Sequence, residues 1–200
     1  MYKSKKRNKI VGNKKVKLKG KAGTFWFTGL PCSGKTTIAG TFKKELEKKG
    51  CCIVHLDGDD IRSALNSDLG FSEEDKQENL RRVAHIAELF NKNGIYVAAS
   101  FISPTDKLRN LIRKIVGDIK IIYVKCELSE CEKRDTKGMY RRARNGDIPN
   151  FIGISAPFQA PARADVIVDT QKNNVAECVK DILDGIKIEE YSTLSRGSKI

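Results

Sequence analysis

Apolar positions along the chain fall into two alternating kinds of stretch. TFWFT (24–28), CCIVHLD (51–57), IYVAASF (95–101), IKIIYVKC (119–126) and ADVIVDT (164–170) have the length and β-branched content of buried strands. Between them lie longer stretches in which apolar residues recur at helical spacing. TIAGTFKKELEKKG (37–50) reads as an amphipathic helix closed by Gly50. A longer helix runs to Asn93-Gly94 with Leu80, Val83, Ala84, Ala87 and Phe90 on its buried stripe, opened by Ser72 and Asp75 at capping-box spacing. ALNSDLGF (64–71) predicts a short helix and a turn. Ser103-Pro104 is expected to cap a helix reaching Val116, Ser129 with Glu132 to cap a short one, and NNVAECVKDILDGI (173–186) to form the last. The basic stretch 134–164 reads as irregular.

Between the first strand and the first helix stands GLPCSGKTT, Gly29 to Thr37, which fits G-x-x-x-x-G-K-[ST]. That pattern between a strand and a helix is a phosphate-binding loop. Its glycines let the backbone approach oxyanions, and its N–H groups and the helix N-terminus point at them. Gly29, Leu30, Pro31, Cys32, Ser33, Gly34, Lys35, Thr36 and Thr37 are therefore the candidate ATP-binding residues. Lys35 is expected to reach the β/γ-phosphates and Thr36 to offer its hydroxyl to Mg²⁺. Strands alternating with helices predict an α/β fold: a P-loop NTPase-type parallel β-sheet with helices on both faces and a small basic lid. Ligands in such sheets bind at the C-terminal strand ends, where the loop, Asp57–Arg62 and Ser100–Ser103 all fall.

Charge refines the domain plan. The net charge is +13, and the first 21 residues carry Lys and Arg without a single acid. Residues 1–21 are thus expected to be a solvated basic arm, residues 22–186 the P-loop domain, and 187–200 a frayed tail. The arm has few aromatics to stack on bases, which argues against a nucleic-acid partner. No apolar run approaches the roughly 20 residues that span a bilayer, and no h-region follows the basic N-terminus. The six cysteines form no C-x-x-C and the histidines number two, so reduced thiols in a cytoplasmic protein are expected rather than a zinc site. Cys32, inside the phosphate loop, is the one thiol that a helix N-terminus would favour as a thiolate.

Two carboxylates directly after the second strand, Asp57 and Asp59, suit a phosphoryl-transfer site: one to hold Mg²⁺ through water, one to accept a proton from the attacking hydroxyl. The alternative is that DGDD caps the next helix. Arg62, Lys76 and Arg81 are candidates for an anionic acceptor. Arg134, Lys137, Arg141, Arg142 and Arg144 lie where a water-excluding lid would sit. Phe71 and Phe151 are loop aromatics suited to sandwich a planar base, or else ordinary packing.

The ordered set WFTGLPCSGKTT, LDGDDIR, LNSDLGFSEED, ENLRRVA, SFISP, KGMYRRARNGDIPNFIGISAPF and the VDT strand resembles the adenylylsulfate kinase (APS kinase) family from about Thr24 to Thr170. The resemblance implies ATP-dependent phosphorylation of the 3′-hydroxyl of adenosine 5′-phosphosulfate (APS), giving PAPS for sulfate activation, by a cytoplasmic homodimer. It implies a catalytic set of Lys35, Asp57, Asp59 and Ser103, the serine as a phosphoserine intermediate that direct in-line transfer does not need. It implies metal contacts from Thr36 and Asp59. Acceptor contacts would come from Asp57, Asp59, Arg62, Phe71, Lys76, Asn79, Ile102, Ser103, Lys137 and Phe151. Three places depart from the family pattern: Lys76 where Arg is common, DGDD for DGDN, and TDKLR after SFISP. A kinase for another 5′-modified nucleotide is the neighbouring reading. A nucleotide-dependent switch lacks its N-K-x-D base signature after the fourth strand.

Overall fold

A computed structural model describes residues 22–186; the expected basic arm and the expected frayed tail lie outside the described residues. The five strands β1 (Thr24–Thr28), β2 (Ile53–Asp57), β3 (Tyr96–Ser100), β4 (Ile119–Lys125) and β5 (Val166–Asp169) form one sheet in the order β2-β3-β1-β4-β5. Every pairing is parallel. β1 is buried at every position, which is why it reads as an unbroken apolar run. Its side chains alternate between two cores. Phe25 and Phe27 pack with Ile38, Phe42 and Leu46 of α1 (Lys35–Lys48) and with Val179 and Ile182 of α7 (Val175–Gly185). Trp26 packs with Leu80, Val83 and Ala87 of α3 (Glu73–Lys92) and with Leu108 and Ile112 of α4 (Asp106–Val116). The parallel sheet with helices on both faces is the expected fold class.

The differences from expectation lie at helix ends, and tertiary contacts explain them. The second helix is α2 (Gly58–Ser63), directly after β2; residues 64–68 are turn. Asp57 caps it by accepting from the Asp59 N–H. Ser72 accepts from the Asp75 N–H at the start of α3, while the Asp75 carboxylate accepts from the Ser72 hydroxyl, so the bond back to the cap's own N–H is not made as a capping box requires. α4 begins later than expected, capped by Thr105, because Ser103 is occupied elsewhere. α5 (Leu128–Lys133) has Glu127 at its N-cap and no side-chain cap, so Ser129 does not serve there. The stretch expected to be irregular holds α6 (Met139–Arg144), whose first N–H groups are satisfied by the Asp135 carboxylate.

Arg109 is the buried ion that ties this region together. It is 2 % exposed, and its guanidinium donates to the Asp106 carboxylate and to the carbonyls of Ser103 and Gln159. Arg109→Met is expected to strand those acceptors and to destabilise the fold by about 2–4 kcal/mol, read from a denaturant midpoint at unchanged slope.

Candidate active site

The phosphate loop is a backbone cradle set between β1 and α1. Gly29 lies so close under the sheet that a Cβ there would stand 2.4 Å from the Val124 carbonyl oxygen, which no other residue tolerates. Gly34 at φ 96° makes the left-handed turn into α1, and Cys32 adopts φ 57° without being glycine. Gly34 provides no side-chain cap and the first turn of α1 holds no acid, so the helix's leading N–H groups stay available to an anion. Lys35 Nζ donates to the Leu30 carbonyl at 2.6 Å, and burial lowers its pKa to about 8. A buried ammonium resting on a neutral carbonyl is poised for an anionic ligand, and a polyphosphate fits this cradle on that ground.

Across the mouth, the Thr36 hydroxyl donates to Asp57 Oδ2 at 2.7 Å, and the Ser100 hydroxyl donates to the same oxygen at 2.7 Å. Asp57 Oδ1 accepts from the Asp59 N–H. Burial alone would raise the Asp57 pKa, but the hydroxyls of Ser100 and Thr36 and the Asp59 N–H outweigh it and hold the carboxyl below its ordinary value. Asp57 thus caps α2 with one oxygen and faces the phosphate loop with the other, so capping does not turn the carboxylate away from the mouth. Thr36 bonds Asp57, and Asp59 instead accepts from Lys137 Nζ at 2.5 Å, because its side chain stands at the exposed rim with that lysine.

A cleft of about 820 Å³ gathers Cys32, Gly34, Lys35, Thr36, Thr37, His55, Asp57, Asp59, Arg134 and Lys137. Arg134 closes one side by donating to the hydroxyl and carbonyl of Thr170, whose hydroxyl in turn donates to the Ser33 carbonyl. α6 packs over the loop, with the Tyr140 hydroxyl donating to the Pro31 carbonyl at 3.0 Å. Leu30 lines a second cavity, of about 600 Å³, with Tyr123, Leu128 and Phe158. Cys32 does not behave as a thiolate: burial first, and then Asp135, push its thiol above the ordinary range. Among the described residues no three His, Cys, Asp or Glu side chains cluster as a metal site; Thr36 and Asp57 present hard oxygens beside the loop that could hold a cation.

The other expected residues are spread around the mouth rather than inside that cleft. Arg62 donates to the Gly70 carbonyl, and its guanidinium lies 4.6 Å over the Phe71 ring, which is 63 % exposed. Lys76 is buried and donates to Glu73 at 2.8 Å. Asn79 is buried and accepts from Asn66. Arg81 pairs with Glu78 on the exposed face of α3 rather than turning to the mouth. Phe151 packs edge-on against Tyr140, with ring centroids 5.0 Å apart. The Ile102 carbonyl accepts from Thr28. Ser103 departs most from expectation. It is 1 % exposed at φ 45°, and its hydroxyl accepts from Trp26 Nε1 at 2.9 Å. That hydroxyl is turned into the core, so it offers no surface for a phosphorylated intermediate. Of the basic lid set, Arg144 pairs with Glu132.

Sequence reasoning assigned no role to Ser100, His55, Thr170 or Arg109. Ser100 ends β3 and Thr170 directly follows β5, so both lie at the mouth, the one signal available beforehand.

Comparison with known proteins agrees with this arrangement. The family model described as adenylylsulphate kinase matches residues 21–169. The adenylyl-sulfate kinase of Clostridium acetobutylicum is 45% identical over 176 residues, covering 88% of each chain. That of Phocaeicola vulgatus is 49% identical over 173 residues, covering 85% of each. The APS kinase of Mycobacterium tuberculosis, solved in complex with AMPPNP and APS, superposes with a TM-score of 0.80 at 38% identity, covering 84% of this chain and 98% of its own. With a family match over most of its length and a phosphate loop, a paired carboxylate and a basic rim on one parallel sheet, this chain belongs to the adenylylsulfate kinase family.

Proposed function

We propose that the chain transfers the terminal phosphoryl group of ATP to the 3′-hydroxyl of APS, giving PAPS and ADP. The observation that carries this reading is the Thr36–Asp57 contact at 2.7 Å, which joins the donor loop to the carboxylate pair within the family's matched span. The loop's N–H groups and Lys35 bind the donor phosphates. Thr36 and Asp57 would hold Mg²⁺, which when bound neutralises charge on the donor phosphates. Asp59, at the open rim, accepts the proton of the attacking hydroxyl, and Lys137 beside it keeps that carboxylate oriented. Arg62, Phe71, Lys76, Asn79, Ile102 and Phe151 form the acceptor side. Ser103 belongs there as a positioning residue, anchoring the turn that carries Ile102 to Trp26 of β1. Transfer then rests on positioning and charge stabilisation rather than on a covalent protein intermediate.

A coupled assay with ATP, Mg²⁺ and APS tests the reading; turnover with APS well below that with other 5′-modified nucleotides overturns the acceptor assignment. Lys76 favours keeping that comparison in view. Where the family commonly has Arg, this chain has a point charge held by Glu73, without the bidentate fork that grips an oxyanion. Asp59→Asn is expected to lower kcat by about 10²–10⁴-fold, the usual share of general-base catalysis. Its melting temperature should stay close to that of the parent, since Asp59 and Lys137 are both exposed. Near-normal kcat in Asp59→Asn removes that residue from the chemistry.

A further inference from the structure

His55 stands outside the LDGDDIR motif, yet it is wired to it. His55 and Asp57 are two residues apart on β2, so their side chains leave the same face of the sheet. The register of β2 with β3 sets Ser100 opposite Asp57. Ser100 Oγ lies 2.7 Å from Asp57 Oδ2 and 2.9 Å from His55 Nε2. His55 Nε2 itself stands 4.0 Å from Asp57 Oδ2, so the serine is the link between them. Donor chemistry fixes the direction. A carboxylate only accepts, so the Ser100 O–H points to Asp57, and its oxygen is left to accept from His55, which then carries its proton on Nε2. A lone hydroxyl turns its hydrogen to suit any neighbour; a donor behind it leaves one useful orientation. The second donor to Asp57 Oδ2 is Thr36, from the phosphate loop.

We propose that His55, acting through Ser100, is a positioning residue for Asp57: it sets the Ser100 hydroxyl as a donor to Oδ2 and so holds the carboxylate against Thr36. This rests on the reading of Asp57 given above and adds to it two side chains outside LDGDDIR. The relay crosses from β2 to β3 and back, so it couples the acidic turn to the strand that leads into Ile102 and Ser103.

Two measurements on the full chain test it. The first is the ¹⁵N–¹H correlation spectrum of the imidazole side chains, in which His55 should appear as the Nε2–H tautomer and should lose that preference in Ser100→Ala. The second is steady-state kinetics. His55→Leu and Ser100→Ala should each lower kcat about five- to tenfold, the worth of one well-placed hydrogen bond, with KM for ATP and APS changed by less than about twofold. The double variant should be little worse than either single one, since both break the same chain of bonds. His55→Gln, whose side-chain amide donates from nearly the same point, should recover most of the loss. An Nδ1–H tautomer, kcat within about twofold of the parent in both single variants, additive losses, or losses that track melting temperature without recovery by Gln would each overturn the relay. A parent chain with no APS turnover overturns the functional reading instead, and the tautomer spectrum still decides the relay.

Discussion

Lys35→Ala is expected to lower kcat by at least about 10³-fold, because the residue supplies the charge that stabilises the transferring phosphoryl group. Its setting in the free chain sharpens the expectation. Nζ rests on the Leu30 carbonyl, and burial lowers its pKa to about 8 against an ordinary 10.5. The folded chain therefore binds that proton less tightly than the unfolded chain does. The resulting penalty is present in full below pH 8 and is relieved as pH rises from 8 towards 10.5. Lys35→Met, which keeps the volume and removes the charge, is expected to melt higher than the parent at neutral pH without nucleotide, while losing turnover as Lys35→Ala does. Anionic phosphates reverse the balance and favour the ammonium. ATP binding at a pH just above the lowered value should then take up a proton, seen as a buffer-dependent heat in calorimetry and absent in Lys35→Met. A lower melting point for Lys35→Met, or no proton uptake by the parent, sinks this account of the loop.

The central strands β1 and β3 and the two cores were legible because burial on both faces leaves a plain signature. The centre of TFWFT is apolar because α1 covers Phe25 and Phe27 while α3 and α4 cover Trp26. The phosphate loop was legible because its residues are contiguous. Ser72 opens α3 as expected, but other helix starts were not legible, because a Ser or Asp next to a helix caps it only if nothing farther away claims it. Ser103 receives Trp26 Nε1 from 77 residues earlier and so leaves the cap to Thr105. α6 was hidden because its six residues, MYRRAR, carry too little apolar periodicity, and its cap is the side chain of Asp135, four residues before its first position. The same limit hid the side chains around Asp57. The bonds from His55 to Ser100 and from Ser100 to Asp57 join residues 45 and 43 positions apart, and only the register of β2 on β3 brings them together.

Asp57→Asn is the second change with a large expected effect, and its hydrogen bonding predicts that the fold survives it. The amide oxygen of Asn can take the place of Oδ1 and accept from the Asp59 N–H, a donor that cannot turn. The amide nitrogen then faces Thr36, whose hydroxyl can rotate from donating to accepting, and Ser100, which can do the same once His55 moves its proton to Nδ1 and Nε2 accepts the Ser100 O–H. Helix α2 keeps its cap, and the melting temperature should move little at neutral pH. The charge, however, is gone from the point where it faces the phosphate loop. kcat is expected to fall by about 10²–10³-fold or more, the scale found when one oriented electrostatic group is removed from a reacting centre. Acid stability separates this variant from the parent again. The lowered pKa of Asp57 means that its share of stability is present above the ordinary carboxylate value and is lost as pH falls through the lowered one. Asp57→Asn should flatten that part of the acid-unfolding profile. A variant that keeps kcat within about tenfold of the parent would show that Asp57 serves only as the cap of α2, and the donor-side role would pass to Asp59.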